Sequence, residues 1–333
     1  RILRARLVEK GDDARLQLIA DDDALAPLVA DQLAAVEAAP ADAELELIGD
    51  DVRVQPGRSG FGFDAAKAAA QLLHVATSRG DRSAVLRGEL VRPDFGTADA
   101  RALDITEQVS SFTTYHDCCE PRVQNIHTIA EIIDGAVVEP GETFSVNGYV
   151  GPRTASKGFV SAPAIFEGEY VEEVGGGVSQ FATTMFNAIF FGGYDLLEYK
   201  PHSYYIDRYP RGREATVSYP SPDLEFLNDS DAGIYIDTSY TDTSITVSFY
   251  GNTDVEVDAV MGEPYNFERP PVQREINRSL PEGASQVVQS GTRGFDVEVE
   301  RIFVYPGGDR DTEGFFTRYL PEPRIIERNP RKR

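Results

Sequence analysis

The chain has 333 residues, enough for about two domains or three small ones, each able to bury a core. Its formal charge of −23 argues against a nucleic-acid partner, because gripping a phosphate backbone needs clustered Lys and Arg. No run of about 18 apolar residues is present to cross a membrane as a helix, and the first residue is Arg1 rather than Met, so the expectation is of a longer protein whose anchor lies ahead of this stretch.

Residues 1–90 read as a small α/β module. Ala5 to Ala20 and Ala43 to Val54 alternate like strands, whereas Ala24 to Ala38 and Asp64 to Ser78 carry helical periodicity, with Asp64 as a cap. Between them Gln55 to Gly62, QPGRSGFG, is too rich in glycine and proline for either. His74 falls on a helical face among Leu72, Leu73 and Val75, where a structural histidine belongs. This layout resembles the peptidoglycan-binding domain that precedes the catalytic part of some cell-wall transpeptidases. Residues 91–108, with Pro93, Asp94, Gly96 and Asp99, read as a polar connector.

A central α+β domain is expected over residues 109–258. Ser111 to Tyr115 is strand-like, and Arg122 to Asp134 is helical with Ile126, Ile129, Ala130 and Ile133 on one face; Pro140-Gly141-Glu142 is a turn. Its focus is Val174 to Gly193, where Gly175, Gly176 and Gly177 lead into an apolar helix capped by Ser179 and closed by Gly192 or Gly193. Ser179, Thr183 and Asn187 fall at i, i+4 and i+8 and form one polar line, which Gln180 and Thr184 widen. Two readings follow. The stripe serves packing against a neighbouring sheet, or the glycine-led helix start is a site whose exposed amides and dipole favour a carboxylate, phosphate or oxyanion.

Cys118 and Cys119 are adjacent and make up the full cysteine count, so they supply no disulfide framework. With His116 and His127 they invite a zinc reading, which their spacing disfavours, and no metal or cofactor is expected. After the helix come His202 and an arginine group, Arg208, Arg211 and Arg213, near Tyr204. These guanidinium groups either hold a carboxylate or pair with Asp207, Glu214 and Asp223. Ala215 to Tyr219, Leu224 to Leu227, Ile234 to Tyr240 and Ser244 to Tyr250 read as antiparallel strands. Asn228-Asp229-Ser230 and Thr241-Asp242-Thr243 fit the hairpin connections between them.

The pieces Phe112-Thr113-Thr114-Tyr115, Arg122-Val123-Gln124-Asn125-Ile126, Pro140 to Asn147, Val150-Gly151-Pro152-Arg153-Thr154, Gly175 to Gln180 and Pro201-His202-Ser203 arrive in an order that resembles the VanW family of vancomycin resistance clusters. The resemblance implies an extracytoplasmic, cell-wall-associated protein, membrane-anchored by a segment ahead of this chain, with peptidoglycan or another wall polymer as partner. Many relatives carry Cys where this chain has Ser179, so a cysteine mechanism does not transfer. Two functions stay open. One is a wall-binding protein using Gly175, Gly176, Gly177, Asn125, Arg153, Tyr204 and the arginines. The other is acyl transfer or hydrolysis, with Ser179 as nucleophile, His202 as base, Gln180 or the amides of Gly177 to Ser179 at an oxyanion, and Asp207, Asn187 or Asn125 orienting the imidazole.

Residues 259–333 read as a proline-rich linker from Met261, including Glu268-Arg269-Pro270-Pro271, followed by a small all-β module. Its strands are expected at Gln286 to Gln289, Phe295 to Tyr305 and Phe315 to Tyr319. With Gly283, Gly291, Gly294 and Gly307 it resembles the five-glycine domain of bacterial surface proteins, which implies binding of N-acetylglucosamine polymers. Arg328 to Arg333 is basic and expected to fray.

Overall fold

The structure is a computed structural model that describes residues 3–10, 13–20, 22–78, 80, 83–166 and 169–330. Chain contacts divide it into two compact units, residues 1–46 with 54–102 and residues 47–53 with 103–333. The architecture is α+β, built mostly from antiparallel strands.

In the N-terminal part, β1 (Leu3–Lys10) and β2 (Asp13–Ala20) form a hairpin, followed by α1 (Asp22–Leu33). Two short strands, β3 (Glu44–Ile48) and β4 (Asp51–Gln55), pair with each other. Then come β5 (Gly60–Gly62), α2 (Ala65–Thr77), β6 (Glu89–Val91) and α3 (Thr97–Ala102), with β5 and β6 paired. Asp64 caps α2, its carboxylate accepting the Ala66 and Lys67 amides. Val29 of α1 meets Ala68 and Ala69 of α2 in a small core.

The second unit opens with β7 (Glu107–Tyr115), α4 (Pro121–Ile133), β8 (Ala136–Val138), β9 (Thr143–Ser145) and α5 (Val146–Val150). It continues with β10 (Ser161–Phe166), β11 (Glu169–Val174), α6 (Ser179–Gly192) and β12 (Asp195–Glu198). The strands β13 (Glu225–Leu227), β14 (Ile234–Thr241) and β15 (Ser244–Gly251) complete the central part. The main sheet has the order β7-β15-β14-β8, all antiparallel, and both α4 and α6 pack against it. Ile126, Ile129, Ala130 and Ile133 of α4 are all buried, as their spacing requires. Gly193 ends α6 in the left-handed conformation, φ +79°, its amide returning to the carbonyls of Ile189 and Phe190.

Seven strands remain: β16 (Glu256–Met261), β17 (Tyr265–Glu268), β18 (Val272–Ile276), β19 (Ser285–Gln289), β20 (Gly294–Val304), β21 (Arg310–Tyr319) and β22 (Arg324–Arg328). β20 is the hub, pairing with β16, β17 and β21. A second sheet runs β18-β22-β19, with β18 and β22 parallel. Val299 and Phe315 enter the same core as α6, where Phe315 meets the rings of Phe186 and Phe190. Arg301, 2% exposed, lies at the C-terminal end of α6 and donates to the carbonyl of Tyr194 at 2.9 Å.

Several expectations are corrected. Gln55 to Gly62 is not wholly irregular, since Gly60 allows an approach to Ala38 that a Cβ would block at 2.4 Å, and β5 forms there. Residues 91–108 contain α3, held by its buried Ala100, and the start of β7. Asn228 to Ser230 is not a hairpin turn, because β13 pairs with β9 and β12 in a separate three-stranded sheet. The Thr241 to Thr243 hairpin does form, between β14 and β15. Met261 to Pro271 includes β17, drawn into the sheet by β20. Arg328 ends β22, and residues 331–333 lie outside the described residues.

Candidate functional site

The turn that leads into α6 is shaped by three different neighbours, one for each glycine. A Cβ on Gly175 would lie 2.8 Å from Arg153 Cβ, one on Gly176 2.1 Å from the Ala162 carbonyl oxygen, and one on Gly177 2.7 Å from Arg122 Cβ. Gly175 and Gly177 also take φ of +93° and +94°, which other residues rarely adopt. Asn125, fully buried on α4, fixes the turn: its amide donates to Val160 O at 2.9 Å and Gly176 O at 2.8 Å, and its carbonyl accepts the Val160 N–H at 2.8 Å. The amides of Gly175, Gly176, Val178 and Gln180 bond to Val160, Glu173, Gly175 and Gly177 carbonyls. Of the Gly177 to Ser179 amides expected at an oxyanion, that of Val178 is thus engaged inside the protein.

The polar line on α6 runs along an extended segment, Arg213 to Val217, that is not a regular strand. Ser179 Oγ is 3.0 Å from Thr216 Oγ1 and accepts the Val217 N–H at 3.4 Å. One turn on, Thr183 Oγ1 donates to Ala215 O at 3.0 Å; a further turn on, Asn187 donates to Arg213 O at 2.9 Å. The companion line faces β7, where Gln180 donates to Thr114 Oγ1 and Tyr115 O and Thr184 meets Thr114. Ser179 is the first helical residue and not the cap, which is Val178 with no side-chain cap bond.

The same extended segment presents Glu214 to His202. The Thr216 N–H donates to Lys200 O at 2.8 Å, which sets residues two positions away, Glu214 and His202, against each other. His202 Nδ1 lies 2.7 Å from Glu214 Oε2, with side chains 8% and 0% exposed. The carboxylate holds the proton on Nδ1 and leaves Nε2, which has no hydrogen-bond partner among the described residues, as the free ring position. Ser179 hydrogen-bonds to Thr216 and Val217, and His202 to Glu214, so no hydrogen bond joins the pair expected to be nucleophile and base.

Tyr209, 4% exposed, sits 5.3 Å from the His202 ring. Burial raises its hydroxyl pKa, while Arg208 and then Arg122 pull it back. The Arg208 guanidinium lies 5.2 Å over the Tyr209 ring. Arg122 donates to Gln180 Oε1 at 2.9 Å, and its pKa is lowered first by burial, with the Tyr209 hydroxyl opposing and Arg208 adding repulsion. On the far side of Glu214, Tyr319 accepts the Gly212 N–H at 2.9 Å; burial and then the Glu214 charge raise its pKa.

Arg208, Arg211 and Arg213 do not act as one cluster. Arg213 turns inward over Phe112, Phe190 and Phe191 and donates to Asn187 Oδ1. Burial lowers its pKa. Arg211 is half-buried near Tyr205, whose raised pKa it partly offsets. Among the described residues none of the three forms a salt bridge. Glu214 is held by His202, and Asp223 by Ser145 and by the Asn147 and Leu224 amides. Arg153 donates to Asn147 Oδ1 and Gly151 O, and Tyr204 is half-buried with no side-chain hydrogen bond among the described residues. Cys118 and Cys119 form a disulfide with each other, so neither thiol is free as a ligand. Among the described residues no group of three or more His, Cys, Asp or Glu is placed to hold a metal.

Sequence reasoning assigns neither Arg122 nor Glu214 to a site. Arg122 lies in a motif that is read for Asn125 and its apolar face, and Glu214 is read only as an arginine partner. The usable signal was the two-residue alternation of Glu214 and Thr216, which places both on one side of an extended segment.

Residues 1–83 match the family described as "Putative peptidoglycan binding domain". Residues 121–250 match the family described as "VanW like protein". The chain is 38% identical over 148 residues to the protein YoaR of Bacillus subtilis (strain 168); the match takes in 44% of this chain and 49% of YoaR, about half the length of that relative. Two solved structures also match. The IgA1 protease G5 domain is 26% identical over 24% of this chain and 98% of its own, with a TM-score of 0.16. HP0197-G5 is 20% identical over 23% and 99%, with a TM-score of 0.13.

Proposed function

We propose that this chain is an extracytoplasmic, cell-wall-associated protein that binds peptidoglycan, and that its VanW-like unit grips the acidic end of a stem peptide at Arg122 and Arg208. The match of residues 1–83 supports wall association. One observation supports the grip: Arg208 lies over the ring of the buried Tyr209, Arg122 interacts with the same phenol and is repelled by Arg208, and among the described residues neither guanidinium forms a salt bridge, in a chain of net charge −23. A bound carboxylate would relieve that repulsion through charge-assisted hydrogen bonds. His202 Nε2 adds a polar contact beside it.

The test is sedimentation of the whole chain with isolated sacculi, followed by titration with a soluble stem peptide bearing a free or an amidated C-terminus. Arg208→Ala removes an exposed group that touches Tyr209 from the surface and should weaken the free-acid peptide about tenfold, the equivalent of one charged hydrogen bond. Equal affinity for the acid and the amide would refute the grip. Absence of sedimentation at low salt would refute wall binding.

A second reading, turnover of muropeptide bonds, draws on the His202–Glu214 pair, in which a buried carboxylate orients an imidazole as a general base requires. If it holds, His202→Ala abolishes muropeptide turnover. Loss of turnover in Ser179→Ala as well would assign the serine as nucleophile, and unaltered turnover in Ser179→Ala would leave water in that role.

A further inference from the structure

An open groove of about 840 Å³ lies elsewhere on the same unit, between the exposed side of α4 and the start of β10. Cys119, Gln124, His127, Glu131, Ser161 and Tyr240 are among its walls. We propose that this groove is a second ligand site, one that takes a neutral N-acetylhexosamine strand. The inference rests on the wall-binding reading above but uses none of the residues of the arginine site.

Two of the lining residues form a stacked pair of rings. His127 and Tyr240 stack with centroids 3.9 Å apart and planes 14° from parallel, and Tyr240 is 41% exposed. Neighbouring groups hold both rings in place. His127 Nε2 donates to Thr241 O at 3.2 Å, and the Tyr240 hydroxyl donates to Glu131. An exposed, pre-oriented aromatic surface attracts the slightly positive C–H face of a pyranose, and little side-chain freedom is lost on binding.

The rim supplies acceptors suited to sugar hydroxyls. With Nε2 occupied by Thr241, Nδ1 of His127 carries a lone pair with no partner among the described residues. Burial lowers the pKa of this imidazole, which keeps it uncharged near neutral pH. Gln124 uses its NH₂ on Gly158 O at 2.9 Å, and its Oε1 has no hydrogen-bond partner among the described residues. Cys119, joined to Cys118 in a disulfide, adds an apolar contact to the lining.

Charge decides between the two halves of a wall polymer. Glu120 and Glu131 line the groove, while the one lysine there, Lys157, turns its ammonium to Val150 O. A stem-peptide carboxylate would face the two like charges of Glu120 and Glu131 against the single positive charge of Lys157, whereas a neutral glycan meets no such penalty. The volume is within the usual range for small-ligand sites, roughly 300–1,000 Å³.

The experiment titrates the full chain with the tetramer of N-acetylglucosamine, followed by calorimetry and by NMR shifts. Tyr240→Phe keeps the ring and should bind within about twofold of the parent, while Tyr240→Ala and Gln124→Ala each weaken binding about tenfold. Arg208→Ala should leave tetramer binding unchanged. A parent chain that does not respond to millimolar tetramer overturns the proposal. So does a Tyr240→Ala chain that binds the tetramer as the parent does, or a groove whose Tyr240-dependent ligand is the stem peptide. Sacculus sedimentation is read separately: if it persists without tetramer binding, the groove assignment fails and wall binding stands, and if the tetramer binds without sedimentation, wall binding fails and the groove remains a sugar site.

Discussion

Replacing Arg301 tests whether the C-terminal strands and the central helix fold as one body. Its guanidinium donates to Tyr194 O at 2.9 Å and pairs with Glu313, while lying 5.5, 4.7 and 5.6 Å from the rings of Phe190, Phe303 and Phe315. Arg301→Ala leaves a carbonyl at the end of α6 without its charged donor, a loss of about 1.5–3 kcal/mol. The ring contacts and the alkyl stem add roughly 1–2 kcal/mol. Glu313 is 42% exposed and rehydrates, so the ion pair itself contributes little. The expected cost is about 4 kcal/mol for Arg301→Ala and about 2 kcal/mol for Arg301→Met, which keeps the stem. Urea unfolding of the whole chain, followed by circular dichroism and by the fluorescence of its 15 tyrosines, would show the midpoint falling by about 1 M for the alanine variant. A shift below about 0.3 M, or C-terminal strands that melt in a separate earlier transition, would refute the reasoning.

Two other predictions address stability. Gly176→Ala puts a methyl into the Ala162 carbonyl, backbone against backbone, and should cost about 3 kcal/mol. Gly141→Ala, with φ +78° but open space around it, should cost only about 1 kcal/mol; thermal melts that rank the two the other way would show that the turn before α6 can yield. Asp296 is held down to about 2, first by its hydrogen bond from Arg318 and then by one from Asn266. Its folded-state pKa is below the unfolded value of about 3.9, so its contribution is complete above that pH and is lost as pH falls toward 2. Asp296→Asn should therefore flatten the acid dependence of the melting temperature between about pH 4 and pH 2, and an unchanged slope there would contradict the assignment.

Elements whose apolar spacing matched their burial were legible in the sequence. The face of α4 at Ile126, Ile129, Ala130 and Ile133, the Asp64 cap and the Thr241 to Thr243 hairpin all follow from local chemistry. What could not be read was non-local. Gln180 looks like any polar helical residue until β7 and Arg122 arrive on two sides of it. Glu214 carries no local sign that its partner is an imidazole 12 positions earlier, because that pairing depends on how two extended segments align. The glycines before α6 were recognised as permissive, but the neighbours that require them come from α4, β10 and the Arg153 loop, which sequence spacing does not reveal.

Tyr319 belongs to the last long strand, yet its hydroxyl receives an amide 107 positions upstream, in the bend that carries Glu214. Cutting away or exchanging the tail would pull a supporting post from beneath the carboxylate. A library of chimeric endings should therefore yield few survivors unless each graft brings its own phenol to that spot.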